Sequence, residues 1–288
     1  MPELPEVETV RRGLSDLIIG KVIAAEQHDT PKGFPNAPGD VALFLVGATI
    51  TAVRRRAKVL LVDLSTEYTL VIHLKMTGQL VYRGERVFGA GHPNESLIGM
   101  LPDRSTRVTI TFTDGSHLYF NDQRKFGWMR LMPTLEVPNI DFMKKVGPEP
   151  LEADFTAQEF TTRFSRRSKT SIKAALLDQT VVAGVGNIYA DESLWGAKIH
   201  PKRLVGTVSD DEFTSLYTEL RAVMNLAIEK GGSTDKNYVN AEGKRGSYMD
   251  FARVFRREGQ ACPRCHAEII KFKAAGRGTH VCPVCQVQ

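Results

Sequence analysis

The sequence predicts a multidomain α+β protein: a strand-rich first half, then a helical module, then a small cysteine-held C-terminal segment. Three observations predict it. Between Lys21 and about Leu131, short β-branched and aromatic runs follow one another with no helical pattern between them, the mark of a sandwich or barrel. From about residue 151 to 230, apolar residues fall at helical spacing. All four cysteines lie between residues 262 and 285 of a 288-residue chain. The composition, 42% hydrophobic and 25% charged, suits a globular protein of two or three domains. No apolar run approaches the ~18 residues of a membrane span. The N-terminus carries Glu3, Glu6 and Glu8 and has no signal-peptide core. A cytoplasmic protein with no membrane partner is expected.

Val7, Val10, Leu14 and Ile18 make one apolar face of a helix from Pro5 to about Ile19. Pro5 suits its first turn, Glu6 and Glu8 its positive end, and Gly20 its stop. Strands are expected at Ala48 to Val53, Val59 to Leu64, Tyr68 to Leu74, Gln79 to Tyr82, Val108 to Phe112 and His117 to Asn121. Thr113-Asp114-Gly115-Ser116 reads as a hairpin turn. Residues 86–103, with Gly, Pro, Asn and Asp, read as a surface loop. The Pro-rich stretch from Val146 to Pro150 marks a boundary. Helices are expected at Thr156 to Ser165, Ser171 to Gln179, Ile188 to Lys198 and Asp210 to Lys230. Thr170 or Ser171 would cap the second and Asp210 the last. Residues 231–250, rich in Gly, Ser and Asn, read as a mobile loop.

The cysteines form one C-x2-C pair (Cys262, Cys265), a gap from 266 to 281, and a second C-x2-C pair (Cys282, Cys285). This is the spacing of a four-thiolate metal site. Disulfides are disfavoured in a reducing compartment, and four thiolates close a tetrahedral zinc shell with no position left for water. One structural Zn2+ is therefore expected, holding a short segment whose apolar surface is too small to fold alone. Positive charge concentrates in the same region, with 11 Lys/Arg against 5 Asp/Glu from Lys230 to Gln288, although the whole chain carries only +5. Such a surface suits a polyanion such as nucleic acid, or is merely a soluble basic tail.

The start of the chain carries unusual chemistry. An initiator Met before Pro is commonly removed, which would expose the secondary amine of Pro2 beside the Glu3 carboxylate. An α-amino group titrates near ~7.7–8.0, so part of it is an unprotonated nucleophile at neutral pH. Attack on a sugar aldehyde carbon gives an iminium that stays cationic, an electron sink that acidifies the neighbouring C–H for elimination. A second informative segment is Gly184-Val185-Gly186-Asn187-Ile188-Tyr189. Two glycines ahead of a helix leave amides that can take a phosphate, with Asn187 as a further donor, or they form an ordinary helix connection. No strand leads into them, which disfavours a dinucleotide fold.

Pro2-Glu3-Leu4-Pro5-Glu6-Val7-Glu8-Thr9, Arg55-Arg56-Ala57-Lys58, Asp122-Gln123-Arg124-Lys125-Phe126-Gly127 and Gly184 to Tyr189 occur in that order, followed by the four-cysteine finger. Together they resemble the bacterial formamidopyrimidine-DNA glycosylases, also called 8-oxoguanine DNA glycosylases, over essentially the whole chain. The resemblance implies an N-terminal β-sandwich with its leading helix over residues 1–135, a linker over 136–150 and a helix–two-turn–helix DNA-binding module over 151–231. A lesion-facing loop over 232–250 and a four-cysteine zinc finger over 251–288 complete it, with DNA crossing a cleft between domains. The resemblance also implies a monomeric bacterial base-excision repair enzyme, associated with the nucleoid through DNA. Its partner would be double-stranded DNA containing oxidised purines or abasic sites. Such an enzyme flips 8-oxoguanine or a formamidopyrimidine out of the duplex, because the sugar C1′ is not accessible inside the stack. It then breaks the glycosidic bond and nicks the strand by β,δ-elimination.

Roles follow residue by residue from the resemblance. Pro2 matches the Schiff-base nucleophile and Glu3 the acid that protonates the opening sugar ring. Lys58 matches the proton donor for β-elimination and contacts phosphate. Arg277, between Gly276 and Gly278 of the finger, matches a residue for δ-elimination and phosphate binding. Met76, Arg124 and Phe126 match the residues that fill the hole left by the extruded base: a thioether and a ring can wedge between bases, and Arg can pair with the orphaned cytosine. His73, Asn187 and Lys169 match phosphate contacts, and Glu6 a residue near the lesion. Read without the resemblance, His73 is an ordinary packed side chain and Glu6 a helix-dipole partner. Many relatives have a His-x-His pair where this chain has Ser105-Thr106-Arg107, so Ser105 takes that DNA-facing place. The chain also departs near residues 234–240 and by having Ser247 before Tyr248, which bears on base preference and one phosphate contact. The endonuclease VIII-like class, for oxidised pyrimidines, typically has Gly where this chain has Leu4. A non-catalytic DNA-damage-binding protein would not need Pro2, Glu3 and Lys58 intact.

Overall fold

In the structure, a computed structural model that describes residues 2–92, 94–233 and 248–287, the chain divides into two compact units. One contains residues 1–144 and 228–248, the other 145–227 and 249–288. The expected removal of Met1, and residues 234–247 of the expected lesion-facing loop, fall outside the described residues.

The first unit opens with helix α1 (Leu4–Ile18), whose Val7, Val10, Leu14 and Ile18 are fully buried as the periodicity requires. The strands that follow are β1 (Ile23–His28), β2 (Ile50–Arg56), β3 (Val59–Leu64), β4 (Tyr68–His73), β5 (Gly78–Arg83), β6 (Val87–Gly91), β7 (Thr106–Phe112), β8 (His117–Asp122) and β9 (Trp128–Pro133). A single turn, α2 (Pro38–Asp40), lies between β1 and β2, and a short helix, α3 (Asp141–Lys145), follows β9. The strands pair antiparallel in two sheets, ordered β2-β3-β4-β9 and β1-β7-β8-β5-β6. Inward residues of both, such as Leu60, Val62 and Ile72 against Leu80, Phe112 and Phe120, share one core with α1. The architecture is therefore a sandwich with open sheets, which settles the choice between sandwich and barrel.

The expectation of a loop over residues 86–103 is corrected: residues 87–91 form β6, with Phe88 and Ala90 buried. Its glycines looked like breakers but permit close packing. Gly91 has φ +122, and a Cβ there would lie 2.5 Å from the Gly78 carbonyl, so only glycine fits.

Glu8 ties α1 to the first sheet. It accepts hydrogen bonds from Arg11 at 2.8 and 3.0 Å, Arg12 at 2.9 Å and Arg55 at 3.1 Å. Burial pushes its carboxyl up, but the Arg11 and Arg12 bonds and the Arg11 and Arg55 charges outweigh it and hold it at about 2. Its contribution to stability is complete above its ordinary value of 4.5 and is lost as pH falls toward 2. Glu8→Gln is expected to cost about 2 kcal/mol and to flatten this acid limb. Melting temperatures between pH 2 and 6 check it; an unaltered limb removes Glu8 as the cause.

In the second unit the helices are α4 (Ala157–Ser165), α5 (Ile172–Leu177), α6 (Asn187–Gly196) and α7 (Asp210–Glu229), α7 belonging to it up to Ala227. Thr156 caps α4 by accepting the Glu159 amide at 3.2 Å, and Ser171 caps α5 by accepting the Ala174 amide at 3.4 Å. Asp210 does not cap α7. Ser209 accepts the Glu212 amide at 3.3 Å while Glu212 accepts the Ser209 amide at 2.8 Å, a reciprocal box that leaves Asp210 in the first turn. The last two strands, β10 (Ile270–Ala274) and β11 (Arg277–Val281), form a hairpin between the two cysteine pairs. Ala275 (φ +49) and Gly276 (φ +70) form its two-residue turn.

Candidate functional site

Pro2 and Glu3 are buried immediately ahead of α1. Glu6 braces them: its Oε2 accepts the Glu3 amide at 2.7 Å, and its Oε1 accepts the Ser233 amide at 2.7 Å. One buried carboxylate thus fixes both the helix start and the segment after α7. Gly232 (φ +88) passes so close that a Cβ would lie 3.2 Å from Glu6 Cγ.

Lys58 sits in the turn between β2 and β3, after Ala57 (φ +52). The β3–β4 register places Val59 opposite His73, so Lys58 and His73 meet at one end of the sheet. The ring of His73 is 5.9 Å from that of Trp128 and 6.4 Å from that of Phe142. Its Nδ1 accepts the Lys75 amide at 3.0 Å, which leaves the proton on Nε2. Burial, then the charges of Lys75 and Lys58, lower its pKa to about 3. His73 is therefore a neutral N–H donor across the physiological range.

Met76 lies on the turn from β4 to β5, and Arg124 and Phe126 on the turn from β8 to β9. The structure brings them together: Arg124 Nη1 is 3.1 Å from Met76 Sδ, and its guanidinium stands 4.8 Å from the Phe126 ring centre. Phe126 is 45% exposed, and its ring is also faced by the Lys32 ammonium at 5.6 Å. Ser105 joins none of these groups. It is buried, with its hydroxyl donating to Asp103 Oδ1 at 2.7 Å and lying 3.1 Å from the Ser96 hydroxyl.

In the second unit, Asn187 opens α6 and donates from Nδ2 to the Gly278 carbonyl at 3.0 Å. The glycine-opened helix start is thus set against the finger hairpin, whose exposed Arg277 begins β11. Lys169 stands apart, exposed on the turn after α4.

The sulfurs of Cys262, Cys265, Cys282 and Cys285 lie within 4.8 Å of one another, with 4.0 Å from Cys262 to Cys285 and 3.3 Å from Cys265 to Cys282. A tetrahedral zinc with bonds of about 2.3 Å sets sulfurs about 3.8 Å apart, so the donor set fits zinc. As thiols they differ. Burial pushes Cys282 up to about 12, whereas Cys262, against burial, is lowered to about 6 by the Arg264 and Cys265 amides and the Trp195 indole N–H.

Sequence reasoning missed a buried network beneath the hairpin. Lys173, fully buried, donates to Asp191 Oδ1 at 2.6 Å and to the Thr279 hydroxyl at 2.7 Å. Asp191 Oδ2 accepts the His280 amide at 2.9 Å. Glu192, also fully buried, accepts the Arg253, Val254 and Phe255 amides at 2.8 to 2.9 Å. Two acids inside the apolar run from Ile188 to Trp195 were the available signal, because buried carboxylates demand partners.

Three family profiles match the chain: the formamidopyrimidine-DNA glycosylase N-terminal domain over residues 1–129, the H2TH domain of the same glycosylases over 146–238, and a zinc finger found in FPG and IleRS over 259–287. The chain is 40% identical to the formamidopyrimidine-DNA glycosylase of Streptococcus mutans, covering 100% of each, and 42% identical to that of Pediococcus pentosaceus, covering 100% and 99%. Among solved structures it is similar to Lactococcus lactis Fpg in complex with abasic-site DNA (36% identity, TM-score 0.87, covering 99% and 100%). The complex of wild-type Lactococcus lactis Fpg with DNA containing N7-benzyl-Fapy-dG is equally similar (36%, TM-score 0.87, 100% of each).

Proposed function

The chain belongs to the formamidopyrimidine-DNA glycosylase family, and we propose that Pro2, Glu3, Lys58 and Arg277 carry its chemistry while His73, Met76, Arg124, Phe126, Lys169 and Asn187 hold the DNA. The protein is a base-excision repair enzyme, a glycosylase and AP lyase acting on oxidised purines in duplex DNA and on abasic sites. One structural zinc, bound by its four cysteines, maintains the finger. We place it in the cytoplasm, associated with the nucleoid through DNA; among the described residues no helix is long and apolar enough to cross a membrane.

The observation that carries the assignment is the burial of Pro2 and Glu3 together at a helix start braced by Glu6. With Met1 removed, the Pro2 nitrogen lone pair forms a bond to C1′ as the bond from C1′ to the oxidised purine breaks, the base leaving with the electron pair. The Glu3 carboxylate takes the N–H proton of the attacking nitrogen and passes it to the ring oxygen as the C1′–O4′ bond opens, the freed nitrogen pair forming the cationic iminium. Loss of the C2′ proton then expels the 3′ phosphate with Lys58 as the proton donor, and Arg277 assists departure of the 5′ phosphate. The neutral Nε2–H of His73, the Lys169 cation and the Asn187 amide bind phosphate oxygens. Met76 and Phe126 wedge the stack while Arg124 pairs with the widowed cytosine. Glu6 supports the lesion side of the site. Ser105, its hydroxyl turned to Asp103 and Ser96, supports its own loop.

Incubated with duplex DNA holding 8-oxoguanine opposite cytosine and treated with borohydride, the protein is expected to form a covalent adduct. Strand cutting without an adduct, or no cutting, rejects the Pro2 mechanism. Thymine glycol released faster than 8-oxoguanine favours a pyrimidine enzyme instead.

A further inference from the structure

Met76, Arg124 and Phe126 can wedge a duplex only from fixed places, yet they stand on two separate turns at the surface. Two buried side chains lock those turns together. The Asp122 carboxylate, 0% exposed, accepts on Oδ2 the amides of Phe126 at 2.8 Å and Gly127 at 2.6 Å. On Oδ1 it accepts the Arg124 amide at 3.2 Å and the Thr77 hydroxyl. The Thr77 hydroxyl oxygen in turn accepts the Arg124 amide at 3.1 Å. One carboxylate therefore gathers three amides of the 123–127 turn, and one hydroxyl joins that turn to the residue after Met76.

The backbone shows what this lock resists. Lys125, between Arg124 and Phe126, has φ +55, and Lys75, just before Met76, has φ +50. Residues other than glycine hold this left-handed conformation only where their surroundings over-determine it. Gly127 closes the turn without a side chain, since a Cβ there would lie 2.6 Å from Phe120 Cζ and 3.0 Å from the His73 carbonyl.

The geometry points to Asp122 and Thr77 as positioning residues that pre-set the wedge, holding Met76, Arg124 and Phe126 in their working arrangement before DNA arrives. The two loops then need no ordering at the moment of base extrusion, when ordering would raise the barrier. The inference rests on the reading of those three residues as void fillers.

Thr77→Val removes the hydroxyl at nearly constant shape, and Thr77→Ser restores it. Single-turnover base release is measured on two duplexes: one with 8-oxoguanine paired to cytosine, one with the lesion facing a missing nucleotide, where extrusion is already easy. Thr77→Val is expected to lose on the order of 10- to 100-fold on the paired duplex and about 3-fold or less on the gapped one. Thr77→Ser recovers most of the loss. Equal losses on both duplexes, no loss on the paired one, or a serine as poor as valine overturns the proposal. Arg124→Ala and Phe126→Ala in the same assay test the wedge itself. Substrate-dependent loss in these two but not in Thr77→Val leaves the wedge standing without its strut. No such loss in the alanine variants rejects the wedge, and this role for Thr77 with it.

Discussion

A chain that retains Met1 is expected to be inert in base excision and in borohydride trapping, by on the order of 10⁴- to 10⁶-fold, the scale on which loss of a covalent nucleophile acts. A peptide bond at the Pro2 nitrogen delocalises the lone pair into the carbonyl, so no iminium can form at C1′. Glu3, Lys58 and Arg277 remain in place but have no intermediate to act on. Intact-mass measurement gives the fraction of chains lacking Met1, and the fraction trapped on abasic-site DNA should equal it. Duplex binding should persist, because no residue assigned to phosphate lies at the terminus. Trapping by the Met1-bearing fraction would sink the mechanism.

Cys262→Ser is expected to lose the zinc and, with it, DNA affinity by about 100-fold or more, since a structural zinc can contribute on the order of 10 kcal/mol to the fold of such a segment. The reason lies in the size of the finger's core. Its buried apolar cluster consists of Trp195, Val254, Cys262, Ile269 and Cys282, so two of its members are themselves metal ligands and the remainder cannot close alone. Without the metal, the hairpin loses the frame that presents Arg277 and Gly278. Metal content and binding to a stable abasic-site duplex, measured on the same preparation, check this; retained affinity with no metal bound contradicts the structural role. Proton competition gives the pH sign. Burial puts the Cys282 thiol up at about 12, so zinc must displace its proton, and a chelator should strip the metal faster at pH 6 than at pH 8.

The legible parts of this fold share a property: each is set by residues close together in the chain. The face of α1 was readable from four apolar positions, and its observed bounds differ by one residue at each end. The β7–β8 hairpin announced itself through Thr113 to Ser116, with Gly115 at φ +83. Where local signals misled, packing or a competing neighbour had overruled them. The glycines of β6 looked like loop residues because the partner that buries the strand is helix α1, far upstream, where Gly13 leaves room for the Phe88 ring. Asp210 was the nearer capping residue by type, but Ser209 and Glu212 satisfied one another first.

The candidate site divides the same way. The four thiols at turn spacing are a property of residue type and short spacing, so the sequence by itself determined the zinc finger, and residue type alone put Pro2 forward as the proposed nucleophile. It could not determine what steadies them. Thr77 and Asp122 are 45 residues apart, Lys173 and Thr279 are 106 apart, and Glu6 and Ser233 are 227 apart. Each pair meets only because sheet register and helix packing bring it together, and a buried polar group chooses whichever partner the folded chain delivers. Tertiary structure alone decided that Ser105 turns inward, that His73 is a neutral donor, and that Asp122 and Thr77 join the turns carrying Met76, Arg124 and Phe126.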